Sequence, residues 1–165
     1  MYSNPARDCS STKTAQEFAD FSAEMLEKFR QRDVSRNEFI LNFTYLEYST
    51  ISSRDRNLIR YILQSIQSHS STTPIDYDQY TIEHILPQSE NYPHSLYANI
   101  GNLILVPEKV NLKLGVKGFK EKKKILIEEG LSDGLIDDWD AADPDTIDDR
   151  GRKMAELSFD KIWKL

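Results

Sequence analysis

Cysteine is nearly absent from this chain of 165 residues: Cys9 stands alone, which excludes an internal disulfide and any multi-cysteine structural zinc site. No apolar run approaches the roughly 18 residues of a membrane span. Met1 to Ser11 holds no hydrophobic segment of the secretory kind, so a cytoplasmic setting is expected, without a membrane. Glycine is sparse, six in all, and nowhere forms a phosphate-cradling loop. An excess of base is missing too, since the formal net charge is −6. What is present, 39% hydrophobic and 10% aromatic residues, is enough for a folded core rather than a disordered chain.

The mean charge hides a strong polarity. Lys109 to Lys124 carries seven lysines and one glutamate, whereas Glu128 to Asp149 carries ten acids and no base. Polyanion binding depends on the local patch rather than on the total. The acidic tract reads first as a solvated loop and helix surface, and otherwise as a shield or a partner contact.

Along the chain, residues 1–13 are polar and read as a flexible N-terminus. Residues 14–70 read as a platform of three amphipathic helices. Thr14-Ala-Gln-Glu17 has capping-box spacing ahead of Phe18, Phe21, Met25, Leu26 and Phe29. Ser35-Arg-Asn-Glu38 repeats the signal ahead of Phe39, Ile40, Phe43 and Leu46. A third helix from about Ser53 presents Leu58, Ile59, Ile62, Leu63 and Ile66, and Gln67 to Asp78 reads as a loop that holds His69. Residues 71–165 form the remaining domain, with a central unit at 80–124 and C-terminal helices over 125–165. Gly130 is a natural stop for the lysine-rich helix that begins at Phe119, and Asp143-Pro144 is a helix start.

The central unit carries the chemistry. Tyr80-Thr-Ile-Glu-His-Ile-Leu-Pro-Gln88 is a short strand that bears the Glu83–His84 pair and stops at Pro87. Ile100-Gly-Asn-Leu-Ile-Leu-Val-Pro107 is a turn and a second strand, with Pro107 as first helical residue and Asn111 about one turn into the helix. Phosphodiester hydrolysis needs an activated water, charge relief on the phosphate and help for the departing oxygen. A neutral histidine is a fitting base near pH 7. A hard divalent cation takes oxygen ligands, which Glu83 and the Asn111 carbonyl supply. On a regular strand Glu83 and His84 point to opposite faces, so a shared site requires a strand end, a bulge or a sharp twist. The bland alternatives are a satisfied core histidine at His84, an ordinary Gly-Asn turn at Asn102, a loop residue at His94 and a solvated lysine face.

The order Glu-His-Ile-Leu-Pro-Gln, Ile-Gly-Asn-Leu and then Asn ahead of lysines resembles the HNH (His-Me finger, ββα-metal) endonucleases. It is most similar to the HNH-type C-terminal domain of GmrSD-like, modification-dependent (type IV) restriction enzymes. Leu58-Ile-Arg-Tyr-Ile-Leu63, the pair Phe119 and Lys122, and the run Trp139, Ile147, Arg150 and Trp163 fit the narrower likeness. It covers most of Ser53 to Leu165. Glu83 stands where Asp is common, and the zinc-holding cysteines of many HNH domains are absent.

The resemblance implies an α+β fold, mostly helical, with a small two-stranded antiparallel sheet embedded in helices. It implies His84 as general base, Glu83 and Asn111 as ligands of Mg²⁺ or Mn²⁺, and Asn102 as a bracing residue. Lys113, Lys117, Lys120, Lys122 and Lys123 are then candidates for DNA phosphate contact. The implied activity is endonucleolytic cleavage of DNA in anti-phage restriction. The rivals are a catalytically silent nucleic-acid- or partner-binding module, and an RNase or nicking toxin using the same site. An NTP-hydrolysing ParB/sulfiredoxin-like domain is the implied partner, absent from this sequence and either trimmed away or supplied by another chain; the alternative is a stand-alone nuclease. One site per chain implies nicking unless a homodimer forms.

Overall fold

The computed structural model describes residues 14, 16, 17, 19, 20, 23, 24, 27, 35–88, 92–134 and 136–163. The chain divides into two compact units, Met1–Ser35 and Arg36–Leu165. In the first, the capping box at Thr14 is formed: Glu17 N–H donates to Thr14 Oγ1 and Thr14 N–H to Glu17 Oε2, both at 3.1 Å. Residues 16, 17, 19, 20, 23, 24 and 27 are helical. The expected flexible N-terminus over 1–13 and the stripe from Phe18 to Phe29 lie outside the described residues.

The second unit is built on two antiparallel strands, β1 (Tyr80–His84) and β2 (Leu103–Pro107), with Glu83 opposite Ile104 and His84 opposite Leu103. The connection carries a short helix, α3 (His94–Tyr97), and a 3₁₀ turn at Ile100–Asn102. Before the sheet come α1 (Arg36–Thr44) and α2 (Arg56–Ser70). After it come α4 (Glu108–Leu114), α5 (Phe119–Glu128) and α6 (Pro144–Leu157), the last extended by a π-helical turn to Ile162. The small sheet within a mostly helical fold agrees with the α+β expectation. Among the described residues no helix is long and apolar enough to cross a membrane.

Alternation along β2 explains why its sequence is apolar without a break. Ile104 and Val106 face one core with Ile85, Leu86, Val110, Leu114, Phe119, Leu126, Trp139 and Ile147. Leu103 and Leu105 face another with Phe43, Ile59, Ile62, Leu63, Ile66, Ile100 and Met154. A strand covered on both sides has no solvent face to make polar. Burying each of these side chains contributes about 1.5–3 kcal/mol. Arg60 on α2 donates to the Tyr80 and Tyr77 carbonyls (2.5 and 2.6 Å), and Gln67 donates to the Leu105 carbonyl at 3.2 Å, so one helix anchors both strands.

Helix α6 seats the turn between strands. Asp143 and Thr146 close a capping box at its start. The buried Arg150 guanidinium donates to the Gly101 and Leu103 carbonyls at 2.6 and 2.9 Å and pairs with Asp133. A Cβ on Gly101 would lie 2.0 Å from the Ile147 carbonyl oxygen, so only glycine admits this approach. Ile147 and Arg150 are thus buried supports of the strand turn, and Trp139 is buried in the core that Ile104 and Val106 face.

Three boundaries differ from expectation. Helix α2 begins at Arg56 rather than Ser53 and runs on to Ser70, where Ser70 Oγ donates to the Ile66 carbonyl and accommodates polar residues in an exposed final turn. His69 therefore sits on a helix rather than in a loop. Leu58 lies off the buried stripe, 48% exposed. Pro107 is the extended N-cap residue (ψ 143°) that ends β2, not the first helical residue, because it still pairs with Tyr80. Gly130, with φ +65°, follows α5 as the expected stop.

Candidate active site

The end of β1 divides its chemistry between two faces. Both Glu83 and His84 are in the regular ladder, so their side chains leave the strand in opposite directions. Glu83 shares the face of Ile104 and Val106, and His84 shares that of Leu103 and Leu105. The structure therefore brings the two residues to one strand end but not their side chains to one polar cluster.

On the first face, Lys122 of α5 reaches the strand. Its side chain is 1% exposed, and Nζ donates to Glu83 Oε1 at 2.5 Å and to the His84 carbonyl at 2.6 Å. Lys122 thus departs from the expected phosphate contact: it is inside, and its charge is spent on the Glu83 carboxylate. Burial pushes the Glu83 carboxyl above its ordinary pKa, and the Lys122 hydrogen bond and charge pull it back. Asn111 of α4 donates from Nδ2 to Thr81 Oγ1 at 2.7 Å. Thr81 and Glu83 are two residues apart on one face, about 6.6 Å along the strand. Asn111 and Glu83 consequently offer a carboxamide carbonyl and a carboxylate on the same side of the sheet. Those are the oxygen donors that a hard cation takes, with water and substrate oxygens completing its shell, so the donor set fits Mg²⁺ or Mn²⁺. Among the described residues no group of three or more His, Cys, Asp or Glu is assembled for a metal.

On the second face, His84 is buried and held at both ring nitrogens. Nε2 lies 2.9 Å from the Tyr48 carbonyl oxygen, and Nδ1 lies 3.1 Å from Gln88 Nε2. A carbonyl only accepts, so Nε2 carries the proton and Nδ1 keeps its lone pair. The Tyr48 ring stacks on the imidazole at 5.8 Å, and Tyr97 meets it edge-on at 6.4 Å. Burial holds the His84 pKa below its usual value; the Tyr48 carbonyl opposes this and the Lys122 charge adds to it. The ring is therefore a neutral imidazole with a basic Nδ1.

Asn102 spans the space behind the pair. Fully buried, it accepts the Leu86 N–H at 2.7 Å and donates to the Leu86 and Tyr97 carbonyls at 3.1 and 2.7 Å. The two bonds to Leu86 lock the backbone that follows His84, and the one to Tyr97 ties it to the end of α3. His94 starts α3 and lies 3.0 Å from Ser49 Oγ and 3.7 Å from Glu47, against the loop that supplies Tyr48.

Of the surface lysines, Lys113 pairs with Glu129, Lys117 donates to the Lys113 carbonyl, and Lys123 donates to the Trp139 carbonyl. Lys113, Lys117 and Lys120 are exposed, and Lys123 is half-buried. Sequence reasoning assigned nothing to Tyr48, Gln88 or Thr81. Tyr48 acts through its backbone, which any residue provides, so no side-chain signal existed. Gln88 stood in plain view within the Glu-His-Ile-Leu-Pro-Gln run, but its reach to Nδ1 depends on the turn after the strand.

The sequence model of the C-terminal domain of the GmrSD restriction endonucleases matches residues 33–157. No curated protein and no solved structure gives a significant match. The matched span takes in α1 to α6 with both faces of the site, and also the segment before Ser53 where the motif likeness was weakest.

Proposed function

The chain belongs to the family of GmrSD restriction endonuclease C-terminal domains, and from that premise we propose that it is an HNH-type, metal-dependent endonuclease that cuts DNA in bacterial defence. The observation that carries the reading is the state of His84, a buried imidazole whose Nε2–H is committed to Tyr48 and whose Nδ1 lone pair is left as the base. In the proposed reaction a water gives its proton to Nδ1 as its oxygen bonds to phosphorus. The phosphorus–oxygen bond to the departing nucleotide then breaks, and that oxygen takes a proton from solvent. Glu83 and Asn111 would hold the divalent cation, which when bound supplies charge stabilisation to the phosphate and leaving oxygens. Asn102 keeps Leu86, and with it the imidazole, in place. Lys113, Lys117, Lys120 and Lys123 provide the positive field for the DNA backbone.

The test is nicking of supercoiled plasmid with Mg²⁺ or Mn²⁺, wild type beside His84→Ala. Nicked or linear product from the wild type alone is expected; equal cutting by both proteins would sink the mechanism. The Glu83–Lys122 pair favours one rival, a binding module that keeps the fold without the metal. Titration calorimetry decides it, because that module would take up neither Mg²⁺ nor Mn²⁺.

A further inference from the structure

The atom that must accept the water's proton is already in use. Gln88 Nε2 donates to His84 Nδ1 at 3.1 Å, so the side-chain amide stands where an attacking water would make the same hydrogen bond. The orientation of that amide is determined by its other end. Gln88 Oε1 accepts the Thr50 backbone N–H and the Thr50 hydroxyl, both at 3.1 Å. A backbone N–H only donates, so the oxygen faces Thr50 and the NH₂ faces the imidazole. One uninterrupted relay of donors therefore runs from Thr50 N–H to Gln88, from Gln88 to His84 Nδ1, and from His84 Nε2–H to the Tyr48 carbonyl.

Both ends of the relay belong to one braced loop. Ser49 is fully buried, and its Oγ accepts the N–H groups of Ile51 and Ser52 at 3.2 and 2.9 Å. Tyr48 N–H donates to the Ala98 carbonyl at 2.9 Å. Thr50 is exposed, so its hold on Gln88 is open to solvent or substrate while the Tyr48 carbonyl is fixed from behind.

We propose that Gln88 is a positioning residue that caps Nδ1 at rest in the His84 tautomer selected by the Tyr48 carbonyl, then gives that atom over to the attacking water when substrate engages the Thr50 side. This rests on His84 being the base. Gln88→Met keeps the length and apolar bulk but has no N–H to donate, so packing persists while Nδ1 is uncapped. Losing a hydrogen bond that competes with the water should raise the single-turnover cleavage rate about three- to tenfold.

The experiment uses the whole chain with ring-¹⁵N histidine, His84 resonances being identified by their loss in His84→Ala. In the wild type, two-bond ¹H–¹⁵N spectra should show protonated Nε2 and a hydrogen-bonded, unprotonated Nδ1. In Gln88→Met the Nδ1 resonance should move toward that of a free lone pair, with faster plasmid nicking. A proton on Nδ1 in the wild type, or an Nδ1 unmoved by Gln88→Met, overturns the proposal. Cleavage that depends on His84 but is unchanged or slowed by Gln88→Met also overturns it and leaves the nuclease reading standing. An Nδ1 that responds to Gln88→Met in a protein that cuts nothing overturns the nuclease reading, and with it the handover to water, and leaves only the resting cap.

Discussion

Glu83 and His84 are adjacent in the chain and live in different surroundings. The Glu83 face is closed by helices α4 and α5, which deliver a buried ammonium and a carboxamide. The His84 face is closed by the loop after α1, which delivers a backbone carbonyl and, through Thr50, the amide of Gln88. One face manages charge and the other manages a proton. The difference shows why a single strand end serves both: the pleat separates the two groups by direction, so each meets its own partners. Two adjacent groups on one side would instead share one electrostatic environment.

The strongest way to break this division is at His84. His84→Ala should lower plasmid cleavage about 10²- to 10⁴-fold, the range of a positioned general base, while titration calorimetry finds Mg²⁺ affinity unchanged. A parallel loss of metal affinity would mean that the faces act as one. The next effect is on stability. Glu83→Ala leaves Lys122 buried without its carboxylate and should cost about 3–5 kcal/mol in urea unfolding. Lys122→Met should cost less, since the uncompensated carboxyl that remains can stay protonated. The reverse order would assign Lys122 a role other than pairing with Glu83.

The pH dependence sharpens the proton side. The folded His84 has a lowered pKa, so between that value and the unfolded pKa of about 6.5 the unfolded state binds more protons. Stability is then complete above about pH 6.5 and is lost as pH falls, by at most about 1.4 kcal/mol per pH unit within that window. His84→Gln should remove this part of the pH dependence when unfolding curves are compared across pH 5 to 7. The raised Glu83 pKa has the opposite sign, its stabilisation fading as pH rises above the ordinary carboxyl value of 4.5. Smallest are the surface lysines: Lys117→Ala and Lys120→Ala should each reduce the salt slope of DNA binding by about one, and Lys122→Ala should not.

Local rules made much of the fold legible. The capping pairs at Thr14 and Asp143, the stop at Gly130 and the stripe of Ile59, Ile62, Leu63 and Ile66 are interactions within a few residues. So is the strand–turn–strand–helix order of the central unit. The identities of Glu83, His84, Asn102 and Asn111 as candidates were also readable, because those residue types at that order match a chemistry and a family. Composition, however, ranked Lys122 with its exposed neighbours in the lysine run.

The linear chain thus determined which groups are present, Glu83 and His84 among them, and where the two strands start, at Tyr80 and Leu103. Only the tertiary structure decided what each of them meets. Lys122 is separated from Glu83 by 39 residues and Tyr48 from His84 by 36. Contacts at such distances are made when helices and loops close on both sides of the sheet. Burial then does what no local sequence rule specifies: it turns one lysine of a basic run into the counter-charge of a carboxylate, and a backbone carbonyl into the group that selects a histidine tautomer.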